Sequence, residues 1–206
     1  MQVFGIAGWS GSGKTTLLRA LIPTLIGRGL TVSTIKHAHH SFDIDQPGKD
    51  SFEHRAAGAH EVMISSANRW ALMHELKGAP EPPLAELTAR MSPVDLLLVE
   101  GFKWEPHDKL EVHRPSVGKP LLQPGDPHIV AVASDTRLVG LAVPVLEIDD
   151  VRGIADFIVA RNNTLSALEE GEGASGTRAG EVGRHRESPP HPDPLLPWGE
   201  RGKDRS

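Results

Sequence analysis

This chain predicts an α/β fold with a mostly parallel central sheet, on three observations. Apolar strand-like runs alternate with helical patterns over residues 1–163, the pattern of a parallel sheet with crossover helices. A glycine-rich loop joins the first strand to the first helix. The run Val94 to Val99 is apolar apart from Asp95 near its start, as a strand covered on both faces requires.

Taken in order, Val3 to Ala7 is a short apolar strand, and Thr15 to Ile26 carries Leu17, Leu18, Leu21, Ile22, Leu25 and Ile26 at helical spacing. Pro23 inside that stripe predicts a kinked or shortened helix, and Gly27 and Gly29 predict its end. Leu30 to Ile35 is the second strand. The polar segment Lys36 to Asp50 is long for a loop of this class, which favours a functional role. Ser51 to Ala59 is a short helix. Glu61 to Ser65 and Trp70 to Met73 form a hairpin about Asn68. Leu84 to Met91 is helical after Pro80, Pro82 and Pro83. Strands follow at Val94 to Val99, Ile129 to Ala133 and Val143 to Ile148, and Asp149 and Asp150 are candidate caps for a last helix, Val151 to Ala160.

Gly8-Trp9-Ser10-Gly11-Ser12-Gly13-Lys14-Thr15 is a complete phosphate-binding loop. Glycines let the backbone curl so that successive N–H groups face the phosphates, and the following helix adds its positive end. Gly11, Ser12, Gly13, Lys14, Thr15 and Thr16 are the candidate phosphate-binding residues, with Lys14 on the β/γ oxygens and the Thr15 hydroxyl on Mg2+. The expected architecture is therefore a three-layer P-loop NTPase fold with a disordered C-terminal tail.

The boundary falls at Asn163. Residues 164–206 hold seven glycines and five prolines among mixed charges, too little apolar surface to offset the entropy of ordering. Leu195-Leu196-Pro197-Trp198 is the one sticky patch there, a candidate docking motif or merely part of the tail. A net charge of −5 gives no sign of nucleic acid or an anionic membrane as partner. The absence of cysteine excludes disulfides and thiolate metal sites and is compatible with a reducing cytoplasm. No apolar run is long enough to span a bilayer. The expected location is cytoplasmic.

Val99-Glu100-Gly101 ends the buried run in an acid followed by glycine. An acid at that place in a phosphate-loop protein holds magnesium directly or through water, so Glu100 is the metal candidate; otherwise it simply leaves the sheet for solvent. Asp95, at the strand's start, is expected at the opposite sheet edge. No Asn-Lys-x-Asp guanine motif is present. Asp135, directly after the strand Ile129 to Ala133, is either the guanine reader or a turn residue. His37, His39 and His40, with Asp43 and Asp45, form a histidine- and acid-rich segment. It is open to a metal site, to solvated surface, or to a role beside the γ-phosphate. Arg55 either counters phosphate charge or pairs with Glu53.

Several stretches together resemble one family. They are Gly8 to Leu18, Ile35-Lys36-His37-Ala38-His39-His40, Asp45-Gln46-Pro47-Gly48-Lys49-Asp50-Ser51 and His54-Arg55-Ala56-Ala57-Gly58-Ala59. Arg69-Trp70-Ala71-Leu72-Met73, Leu98-Val99-Glu100-Gly101-Phe102-Lys103 and Ala131-Val132-Ala133-Ser134-Asp135 complete the set. They resemble the molybdopterin-guanine dinucleotide biosynthesis adapter family, MobB, over residues 1–163. The resemblance implies a homodimeric GTP-binding protein with weak GTPase activity that assists the molybdenum cofactor guanylyltransferase in joining GMP to molybdopterin. It implies GTP and Mg2+ as cofactors and leaves molybdopterin as a further candidate ligand. The segments around His37 and Pro47-Gly48-Lys49-Asp50 would face nucleotide or partner.

Two other functions use the same residues. A small-molecule kinase would take Asp43 or Asp45 as base, but residues 101–127 contain Arg114 as their one arginine, against the Arg-rich lid such enzymes use. A GTP-dependent metallochaperone would carry its metal on His37, His39 and His40.

Overall fold

The computed structural model describes residues 1–38 and 42–173, the side chains of 164–173 excepted. Six strands make one wholly parallel sheet in the order β2-β5-β1-β6-β7-β8. These are β1 (Gln2–Ala7), β2 (Val32–Lys36), β5 (Leu96–Glu100), β6 (Lys109–His113), β7 (Ile129–Ser134) and β8 (Val145–Glu147). The antiparallel pair β3 (Glu61–Ser65) and β4 (Trp70–His74) forms a separate two-stranded sheet, the expected hairpin. The helices are α1 (Lys14–Ile26), α2 (Asp50–Ala56), α3 (Leu84–Ala89) and α4 (Val151–Gly173).

One face of the sheet is covered by α1 and α4. Phe4, Ile6, Leu96, Leu98, Leu110, Val112, Ala131 and Ala133 meet Leu17, Leu21, Leu25, Ile154 and Ile158 there in one apolar core. The opposite face carries α3, which packs Leu84 on Leu97 and Val99, and a second apolar cluster of Ala7, Leu122, Ile129 and Val132. β5 thus buries alternate residues on opposite faces, and all of Leu96 to Val99 is sealed, as its unbroken apolar run predicts.

Strand β6 has no counterpart in the sequence reading. Its order Lys-Leu-Glu-Val-His suggests a half-exposed strand at most, yet every residue in it is buried. The polar side is sealed because each charge is matched. Lys109 Nζ donates to Glu105 O at 2.6 Å and lies 3.0 Å from Asp126 Oδ2. Glu111 accepts from the Leu122 and Gln123 N–H groups at 2.8 and 2.9 Å. A buried charge with partners of this quality avoids the large penalty of an unpaired one. The chain passes from β5 to β6 through residues 101–108 with no helix, crossing above β1 between them. A Cβ on Gly5 would come within 2.5 Å of His107 Nε2 and Lys109 Cγ, so this crossing needs glycine beneath it.

One helix ends where expected and one runs on. α1 runs through Pro23 for one more turn to Ile26; Pro23 is exposed, and the Gly27 N–H donates back to its carbonyl at 2.9 Å. α4 starts where expected, with Asp150 accepting from the Gly153 N–H at 2.9 Å, but continues past Asn163 to Gly173. The patch Leu195 to Trp198 lies outside the described residues. Among those described, no helix is long and apolar enough to cross a membrane.

Candidate functional site

In a wholly parallel sheet the strands finish along one edge, where the crossovers on the two sides of β1 diverge and ligands bind. The loop 8–13 follows β1 there, flanked by Lys36 at the end of β2, Glu100 at the end of β5, Arg114 after β6 and Asp135 after β7. Gly8 is held at φ 138°, and a Cβ on it would lie 2.5 Å from Val112 O. The residue therefore has to be glycine for conformation and for space. α1 begins at Gly13 with no side-chain cap and no acid in its first turn, leaving its N-terminal N–H groups for an anion.

The cleft at this edge measures about 690 Å³ and is lined by Gly8 to Gly11, Gly13 to Thr16, Lys36 to Ala38, Glu100, Gly101 and Lys103. Lys14 Nζ donates to the Gly8 and Trp9 carbonyls at 3.0 and 2.8 Å. Burial lowers the Lys14 pKa below the usual lysine value; Glu100 opposes the shift, and the charges of Lys103 and Lys36 add to it. A cationic cleft of this kind favours a polyanion. The Thr15 hydroxyl donates to Glu100 Oε1 at 2.9 Å, and Lys36 Nζ lies 3.8 Å from Glu100 Oε2. Glu100 is thus turned toward the loop, not to open solvent. Ser12 stands apart from the other loop residues: its N–H donates to Trp9 O at 3.2 Å and its hydroxyl is buried under the loop. Trp9 extends sideways to Pro120 O at 2.7 Å, with Lys103 Nζ 4.6 Å above its ring.

Asp135 does not line this cleft. Its Oδ2 accepts from Arg114 Nη1 at 2.6 Å, and Arg114 Nε donates to Ser12 O at 3.2 Å. The one arginine of residues 101–127 therefore ties Asp135 to the loop, a placement that could not be read without knowing that β6 sets it there.

The acidic segment is organised by Arg55, which pairs with carboxylates other than Glu53 and does not line the cleft. Its guanidinium binds both Asp43 oxygens at 2.9 and 2.7 Å and Glu75 Oε1 at 3.0 Å, and its Nε lies 3.5 Å from Asp45 Oδ2. Asp45 also accepts from Ser51 Oγ at 2.8 Å. Hydrogen bonding to Arg55 holds the Asp43 pKa below the usual carboxylate value. Carboxylates locked in this way are poorly placed as a kinase base, and neither lines the cleft. Pro47 to Asp50 lead into α2 and also lie away from it. His37 does line the cleft; its Nε2 is 2.9 Å from Glu81 Oε1 and its ring lies 4.6 Å from that of Phe102. His39 and His40 lie outside the described residues, and among those described no three or more histidines, aspartates or glutamates are grouped so as to hold a metal ion. Asp95 is at the far edge as expected, accepting from the Thr31 N–H and hydroxyl at 2.7 and 2.6 Å.

The family model described as "Molybdopterin guanine dinucleotide synthesis protein B" matches residues 3–135, from β1 through Asp135. The chain belongs to the MobB family. Among MobB relatives it is 49% identical over 162 residues to the molybdopterin-guanine dinucleotide biosynthesis adapter protein of Escherichia coli K12, covering 77% of this chain and 92% of that protein. It is 43% identical over 161 residues to the protein of the same description from Haemophilus influenzae, covering 77% and 88%. A solved MobB homologue from Bacillus stearothermophilus superposes with a TM-score of 0.58 at 26% identity, covering 80% of this chain and 99% of that one. The MobB match takes in every segment that brings residues to the cleft edge, and stops before β8 and α4.

Proposed function

We propose that this chain is a GTP-binding adapter of molybdopterin-guanine dinucleotide biosynthesis. In this reading it holds nucleotide phosphates on Gly8 to Thr16 and magnesium at Thr15 and Glu100. The adapter role rests on family membership. The nucleotide part rests on one observation above all: the Thr15 hydroxyl and the Glu100 carboxylate meet at 2.9 Å at the mouth of a cationic loop. Two hard oxygen donors at that point fit Mg2+ in type. Magnesium, when bound, neutralises phosphate charge and orients the terminal phosphates. The chain's own part is to grip: Lys14, Lys36 and Lys103 supply positive charge, and the start of α1 supplies N–H groups. Asp135 is the proposed guanine reader, since its carboxylate can accept from the ring N–H and exocyclic amine that guanine presents together.

Hydrolysis is proposed to be slow. Among the described residues, no carboxylate or amide is held in the cleft to orient a water, apart from Glu100, which this reading assigns to the metal. The proposed partner is the molybdenum cofactor guanylyltransferase, acting in the cytoplasm, with direct molybdopterin binding a separate question for the same assay. The homodimer is proposed to form through β3 and β4. Their outward face presents Met63 opposite Leu72, with Trp70 two residues along on the same face, at 62%, 43% and 67% exposure.

Titration calorimetry of GTP and ATP with and without Mg2+ tests the nucleotide reading. Lys14→Ala should weaken GTP binding by about 2–3 kcal/mol, the worth of a charge-assisted contact. Glu100→Gln should remove most of the Mg2+ dependence and spare metal-free binding. Equal ATP affinity in the wild type, or an unchanged Mg2+ effect in Glu100→Gln, would refute the respective assignments.

A further inference from the structure

We infer that Arg114 sets base specificity by holding Asp135 to the phosphate loop, so that guanine reading and phosphate grip form one rigid unit. The inference rests on the proposed guanine-reading role of Asp135 and adds a residue to it.

The lateral order of the strands makes the bridge. β6 lies between β1, which carries the loop, and β7, which carries Asp135. In the β6–β7 register His113 faces Ser134, so the next residues, Arg114 and Asp135, leave the sheet side by side. Arg114 spans the gap in both directions with one planar group. Nε donates to Ser12 O at 3.2 Å and Nη1 to Asp135 Oδ2 at 2.6 Å. A Cβ on Gly13 would sit 3.4 Å from Nε, so the guanidinium packs directly against the start of α1.

The chemistry leaves the carboxylate competent. Arg114 takes one lone pair of Oδ2; Oδ1 accepts no hydrogen bond from any described residue. That leaves acceptor positions for the two donors on guanine's Watson–Crick edge. The two side chains are 31% and 29% exposed, open to a ligand but shielded enough to keep the pair ordered. A carboxylate tied at one oxygen presents the other in a fixed direction relative to the phosphates, and discrimination between bases depends on that direction. Lysine cannot substitute fully, because a single ammonium lacks the planar fork that meets two acceptors at once.

The test is calorimetric affinity for GTP, ATP and XTP with Mg2+, on wild type, Asp135→Asn, Arg114→Gln, Arg114→Lys and the Asp135→Asn/Arg114→Gln double variant. Thermal melts confirm that each is folded. Arg114→Gln should lower the GTP:ATP affinity ratio by roughly tenfold, with Arg114→Lys in between. The double variant should discriminate no worse than Asp135→Asn alone, because the two residues act as one device. Equal weakening of GTP and ATP in Arg114→Gln, with the ratio intact, would mean that Arg114 merely adds charge near the phosphates and would overturn the inference. So would fully additive losses in the double variant. Failure of the underlying reading looks different. There the wild type shows no GTP preference, or Asp135→Asn neither loses GTP nor gains XTP, and both assignments fall.

Discussion

At the scale of single residues the site depends on side chains that are small as much as on those that are charged. Gly8 lets the loop turn against β6, and Gly5 lets the 101–108 segment cross above β1. Gly5→Ala is expected to cost about 1–3 kcal/mol through overpacking against His107 and Lys109. The loss should appear as a lower urea midpoint with an unchanged slope. A variant as stable as wild type would show that the crossing segment yields easily. The placement of the loop 8–13, Glu100 and Asp135 at one sheet edge was legible in the sequence because each follows a strand end, a purely local signal. Arg114 was not: its meaning comes from contacts 102 and 21 positions away, which no local pattern encodes.

At the scale of elements, the segment from Asp43 to Ser51, together with α2 and the end of the hairpin, is one electrostatic assembly about Arg55. Asp43 and Asp45 from one loop and Glu75 from the end of the hairpin share a single guanidinium. Arg55→Ala should speed hydrogen exchange in residues 43–51 while leaving the amides of β1 and β5 protected. GTP affinity should stay within about twofold, since no member of the cluster lines the cleft beside the loop 8–13. A large loss of affinity would return the acidic segment to the proposed nucleotide site. The hairpin was legible from its alternation and turn, whereas β6 was hidden. Its lysine and glutamate read as solvent-facing because their partners, Asp126 and the Leu122 and Gln123 N–H groups, lie 11 to 17 positions further on.

For the whole molecule, the polar layer under β6 predicts an acid response. Burial, aided by the charge of Lys109, lowers the His107 pKa to about 4, from 6.5. Neither ring nitrogen has a hydrogen-bond partner among the described residues. The unfolded chain therefore binds this proton more readily than the folded one. Stability from this group is complete above pH 6.5 and is lost as the pH falls toward 4. The loss is at most about 3 kcal/mol. Melting temperatures from pH 7 to 4 should fall, and His107→Phe should flatten that part of the curve. An equal slope in both proteins would assign the acid sensitivity elsewhere. The outward face of the hairpin carries the second prediction at this scale. Sedimentation at micromolar concentration should show a dimer, and Trp70→Glu with Met63→Glu should give a folded monomer, because like charges on an apolar interface stay unpaired. A wild-type monomer would remove the proposed dimer.

The sequence by itself determined the fold class, the glycine-rich loop after the first strand, the acid after the buried strand and the family, because these depend on periodicity and on residue types close together in the chain. Only the tertiary structure decided what the dispersed charges do. It gave Arg55 to Asp43, Asp45 and Glu75, sealed Lys109 and Glu111 inside the protein, and set Arg114 between the loop and Asp135. A charged side chain looks the same in sequence whether it ends in water or against a partner. The difference is made by which distant segment the parallel sheet lays beside it, since burial without that partner would cost more than the fold can supply.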